Sequence, residues 1–90
     1  IPADGVYAVR VHMKTGSHQG MLNIGVRPTI SGKRRQIEAN IFDFDEDIYG
    51  RYIELEFVDS LREERRFESK AQLIAQLAVD KQDALRVLNS

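Results

Sequence analysis

GMLNIGVRPTISGKRRQIEANIFDFDEDIYG, Gly20 to Gly50, holds two strands and the reversal between them. From Gln19 to Val26, Leu22, Ile24 and Val26 face one way and Asn23 and Gly25 the other, the period-two pattern of a half-buried strand. Arg27-Pro28-Thr29 ends that strand, because proline has no N–H for a ladder, and Ser31-Gly32-Lys33-Arg34-Arg35 reads as a polar, basic loop. Alternation resumes from Gln36 to Phe44, with Ile37, Ala39 and Ile41 on one side and Glu38, Asn40, Phe42 and Phe44 on the other. A strand that served only packing would carry a residue like Thr or Lys on its wet face, so the carboxylate at Glu38, between Ile37 and Ala39, is either decoration or a reagent.

Upstream, Tyr7, Val9, Val11 and Met13 alternate with Val6, Ala8, Arg10 and His12, which predicts a strand over Gly5–Met13 with one greasy face. Turn chemistry at Thr15-Gly16-Ser17-His18 makes it a hairpin with the strand that follows. Downstream, Asp45-Glu46-Asp47 and Tyr49-Gly50 form an acidic connection, and Ile53, Leu55 and Phe57 alternate with Tyr52, Glu54 and Glu56 in a fourth strand. The period then changes. Ser69 followed by Gln72 reads as a capping box, and Leu73, Ile74, Leu77, Ala84, Leu85 and Leu88 recur at helical spacing. The expectation is a mainly β fold, a small antiparallel sheet or barrel with a C-terminal helix packed on it. Four strands alone leave two open edges, so a further strand upstream of Ile1 is expected.

Ninety residues, 42% hydrophobic and 30% charged, suit one globular domain. Thirteen Lys and Arg against fourteen Asp and Glu leave a net charge of −1, which gives no basic field for nucleic acid, and no stretch spans a bilayer. Without cysteine there is neither a disulfide nor a thiolate metal site, in keeping with a cytoplasmic, reducing compartment. The chain opens without an initiator Met and reads as a piece of something longer.

Most candidate chemistry has a plain reading. His12 and His18 lack partners at metal-ligand spacing; Lys33-Arg34-Arg35 and Asp43-Asp45-Glu46-Asp47 read as solvated turns; Leu61 to Phe67 reads as a charged connector. Glu38, mid-strand and on the same face as Asn40, reads either as a solvated wet-face carboxylate or as a reagent, and composition by itself favours the first.

Asn23-Ile24-Gly25-Val26-Arg27-Pro28-Thr29, then Ile37-Glu38-Ala39-Asn40-Ile41-Phe42-Asp43-Phe44, then Ile48-Tyr49-Gly50, and Leu61-Arg62-Glu63-Glu64 with Phe67 resemble, in that order, the riboflavin kinase family. The likeness is to the C-terminal kinase module of bacterial bifunctional riboflavin kinase and FAD synthetase, and Pro2 to Val9 extends it over nearly the whole chain. It implies a Greek-key β-barrel of six strands and a kinase domain over residues 1–90, with N-terminal strands missing. It also implies ATP-dependent phosphorylation of riboflavin at the ribityl 5'-hydroxyl to give FMN. Glu38 matches the catalytic carboxylate. Arg62, Tyr49 and Phe67 match the flavin side, and Asn23 and Gly25 the nucleotide side. Magnesium is expected with ATP, and an adenylyltransferase domain is expected N-terminal to this module in the parent chain.

Two departures accompany the likeness. Asn40 stands where many members have His. The family's Gly-Phe-Pro-Thr-Ala-Asn segment, which holds magnesium and phosphates, is not in this sequence, so none of the present residues is assigned to metal and weak activity is expected of the chain by itself. The alternative is a non-catalytic β-barrel that binds a flavin nucleotide or a partner protein.

Overall fold

The computed structural model describes residues 2–90. Strands β1 (Gly5–Met13), β2 (Gly16–Thr29), β3 (Gly32–Ile41) and β4 (Glu54–Arg62) form one antiparallel sheet in the order β3-β2-β1-β4, followed by helix α1 (Lys70–Leu88). Three hairpin-linked strands with a fourth returning beside the first are a Greek key. The sheet is not closed: among the described residues β3 and β4 are its two edges.

Both hairpins are tighter than the turn residues suggested. Met13 pairs with Gly16 and Thr29 with Gly32, so each reversal has two residues, Lys14-Thr15 and Ile30-Ser31. None of these four has a positive φ; the twist is taken up by the glycine that follows, at φ 138° for Gly16 and 150° for Gly32. The basic stretch expected as a loop, Lys33-Arg34-Arg35, therefore belongs to β3, and β2 continues through Pro28, which pairs with Lys33. Beyond the pair Gly5 and Ile24, β2 has a neighbour on one side only, so alternate N–H positions face solvent and a proline there need not cost a ladder bond. At its other end β3 stops at Ile41 instead of Phe44. Phe42 N still donates to Gln19 O at 2.8 Å, and Asp43 then turns the chain at φ 53°.

The sheet buries apolar residues on both faces, which corrects the single greasy face expected of β1. Val9, Val11, Leu22 and Ile24 form one cluster, bordered by Tyr7, Met13, Ile41 and Ile53. Ala8, Met21 and Phe42 form the other with Ala84 and Leu88 of α1. Val6 and Ala8, on the side expected to be wet, lie buried. β4 serves both faces. Phe57 meets the Tyr7 ring edge-on at 5.3 Å, while Val58 and Leu61 pack with the helix-side cluster. Alternation sends Phe57 and Val58 to opposite faces, and the register shifts between Val6 and Tyr7 and between Ala8 and Val9 let Leu61, three residues on, share the face of Val58.

Ser69 caps α1 as expected, its hydroxyl accepting from Gln72 N at 3.1 Å; in return Gln72 Oε1 accepts from Glu68 N, one residue before the cap. Toward the other end of α1, Arg10 Nη2 donates to Leu88 O at 3.2 Å. Among the buried helix residues is Asp80, 1% exposed, whose two oxygens take Arg62 Nε (2.8 and 3.0 Å), Arg62 Nη2 (2.8 Å) and Gln76 Nε2 (2.9 Å). Burial pushes the Asp80 carboxyl up, but hydrogen bonds from Arg62 and Gln76 and the charges of Arg62 and Arg65 outweigh it, and the group lies below its ordinary range.

Candidate active site

Register places Asn23 of β2 opposite Glu38 of β3, and Met21 opposite Asn40. By the same period of two, Gly25 and Arg27 share the face of Asn23. Arg27 reaches back along that face. Its Nη2 donates to Glu38 Oε1 at 3.0 Å, while Nη1 lies 3.3 Å from both Glu64 Oε2 and Val26 O. One guanidinium thus joins a carboxylate from the edge strand to one from the segment after β4.

These groups border two adjoining cavities. One, of about 360 Å³, is lined by Asn23, Arg27, Glu38 and Asn40 on the sheet and by Leu73 and Leu77 of α1. The other, of about 330 Å³, shares Asn23, Arg27 and Leu73 and adds Glu64, Arg65 and Phe67. Glu38 therefore faces a cavity large enough for part of a small-molecule substrate. Its side chain remains 54% exposed, and Arg27 is its one hydrogen-bond partner among the described residues. Asn23 lines both cavities, and its Oδ1 is buried without a partner. A buried acceptor left unpaired costs about 1–3 kcal/mol, so this is a position where a bound donor stabilises.

The remaining expected residues are placed unevenly. Gly25 lies under Glu64: a Cβ built on it would overlap the Glu64 carboxylate. Phe67 lines the second cavity and carries the guanidinium carbons of Arg65 and Arg62 at 5.0 and 5.7 Å from its ring centre. Arg62 is committed to Asp80 through Nε and Nη2, and Nη1 donates to Glu63 O at 3.1 Å. One N–H on each terminal nitrogen is left for another acceptor. Tyr49 stands apart, 93% exposed in the β3–β4 connection and lining neither cavity.

Sequence reading missed Arg27, Glu64 and Asp80. Arg27 shares the parity of Asn23 and Gly25, a signal hidden by treating Pro28 as a strand stop. Asp80 falls between Leu77 and Ala84 on the inward stripe of α1, where a carboxylate demands a cation.

Among the described residues, no three of His, Cys, Asp and Glu converge as a metal site. Among the described residues no helix is long and apolar enough to cross a membrane.

The family model described as Flavokinase, riboflavin kinase, matches residues 1–88. The chain is 38% identical over 93 residues to the bifunctional riboflavin kinase/FMN adenylyltransferase of Bacillus subtilis, covering all of this chain and 29% of that protein. To the protein of the same description from Haemophilus influenzae it is 41% identical over 90 residues, covering 99% of this chain and again 29% of the relative. A solved structure described as a macrolide-efflux protein from Streptococcus pneumoniae superposes with a TM-score of 0.79 at 38% identity, over 91% of this chain and 27% of that one. The chain thus spans under a third of the length of each of these proteins.

Proposed function

Because the chain belongs to the riboflavin kinase family, we propose that it is the kinase module of a longer bifunctional protein, moving the γ-phosphoryl group of ATP to the ribityl 5'-hydroxyl of riboflavin. In this reaction the hydroxyl oxygen forms a bond to phosphorus, the bond from phosphorus to the β–γ bridging oxygen breaks, and FMN and ADP leave. Positioning does most of the work, and a base within about 3 Å of the hydroxyl takes its proton. Glu38 is that base. The observation that carries the reading is the Glu38 carboxylate at a cavity between sheet and helix, beside an asparagine with an unpaired buried oxygen.

Asn23 accepts a hydrogen bond from substrate at its orphan oxygen. Phe67 forms part of the flavin wall, and Arg62 offers its two remaining N–H groups to the phosphate of FMN. Gly25 lines the nucleotide side and Tyr49 closes over the flavin from the β3–β4 connection. Magnesium, brought in with ATP, is the ion expected to screen the transferring charge. The described residues do not fit a magnesium site by themselves, so none is given a ligand role. The compartment proposed is the cytoplasm, and the partner domain an adenylyltransferase.

Transfer of labelled phosphate from ATP to riboflavin, measured on the full-length protein, tests this. Glu38→Gln keeps shape and removes the base, and is expected to lower kcat by about 100-fold or more. Flavin binding without any transfer by the wild type would favour a binding module instead, and a fully active Glu38→Gln would remove Glu38 as the base.

A further inference from the structure

We infer that Arg27 is a positioning residue for Glu38, itself held by the Glu64 carboxylate seated over Gly25; this rests on the phosphoryl-transfer reading of the same site. Glu38 lies on an edge strand and its side chain is half exposed, so little of its surface is available for packing to hold it. Its one hydrogen bond among the described residues is accepted from Arg27 Nη2 at Oε1, and Oε2 is left without a protein partner. Arg27 in turn has two anchors on its other terminal nitrogen, Glu64 Oε2 and Val26 O. Glu64 can approach that closely because residue 25 has no side chain: a methyl there would occupy the space of its carboxylate. Three residues from β2, β3 and the segment after β4 are thereby tied in the order Glu64, Arg27, Glu38, along the rim of both cavities.

Stability does not account for the arrangement. Half-exposed ion pairs contribute about 0–1 kcal/mol, whereas displacement of a catalytic group by about 1 Å can cost about 100-fold in rate. Arg27 is also shared between two carboxylates, so Glu38 is not bound face to face by a guanidinium that would cover both of its oxygens.

The test is a double-mutant cycle on the full-length protein, with kcat and both KM values measured for Arg27→Gln, Glu38→Gln and the double variant. Arg27→Gln is expected to lower kcat by about 10- to 100-fold with KM for riboflavin and ATP within about threefold, because positioning acts on the step and not on binding. In the Glu38→Gln background the same change is expected to cost under about twofold, since residues acting as a unit are non-additive. Arg27→Lys, whose compact ammonium keeps the charge but lacks the fork that reaches both carboxylates, should recover part of the loss. Gly25→Ala should displace Glu64 and reproduce a several-fold fall in kcat with an unchanged melting temperature. Independent, multiplying effects of Arg27→Gln and Glu38→Gln overturn the inference, as does an Arg27→Gln enzyme with normal kcat beside an inactive Glu38→Gln; a normal kcat in Gly25→Ala overturns the part assigned to Glu64. Full activity in Glu38→Gln is a different result, and removes the base itself.

Discussion

Asp80 and Glu38 are both acidic, and burial assigns them opposite work. The Asp80 oxygens accept from Arg62 and Gln76 in the interior, so the residue holds structure; Glu38 has one partner and an open side. Breaking a buried pair leaves an uncompensated charge, so Asp80→Ala is expected to destabilise by about 3–5 kcal/mol in urea unfolding. The folded-state carboxyl lies below its ordinary value near 3.8. Its contribution is therefore fully present above about pH 4 and drains away as pH falls through the lower, folded-state value. An unfolding series from pH 6 downward should show a steeper acid loss in the wild type than in Asp80→Asn. At this scale the alternation rule made the faces of Glu38 and Asn23 legible, because side-chain direction on a strand is a matter of parity, while their roles were expected only from the family likeness. Asp80 was not legible: counting apolar residues on a helix says nothing of a charge whose partner is 18 positions away.

Among the elements, the hairpins were visible and their ends were not. Strand boundaries depend on what the neighbour offers. β3 begins in a run of basic residues because Arg27, Pro28 and Thr29 across from it supply a backbone to pair with, whatever the side chains prefer. The cost of that two-residue reversal is concentrated in Gly32 at φ 150°, where a Cβ would meet nothing within 4 Å. Any penalty for Gly32→Ala is thus one of backbone conformation alone, expected at about 1–3 kcal/mol by thermal or chemical melting. A variant as stable as the wild type would show that the turn relaxes into another form. The helix was legible to within a residue at both ends, because Ser69 and Asn89 are local signals: Asn89 N returns to Leu85 O at 3.0 Å and needs no distant partner.

The molecule as a whole is a Greek-key sheet with a helix on one face and two edges open among the described residues; antiparallel pairing followed from the short turns, whereas the return of β4 beside β1 was expected only from the family likeness. What periodicity concealed was the slip in β4, since a bulge is decided by the strand beside it. That slip has a mechanical meaning. With Phe57 set edge-on against Tyr7 on one face and Val58 and Leu61 against the helix-side cluster on the other, β4 links the two faces of the sheet through one strand. Helical ellipticity and the near-ultraviolet signal of the tyrosines should accordingly vanish at a single denaturant concentration, where separable layers would give two.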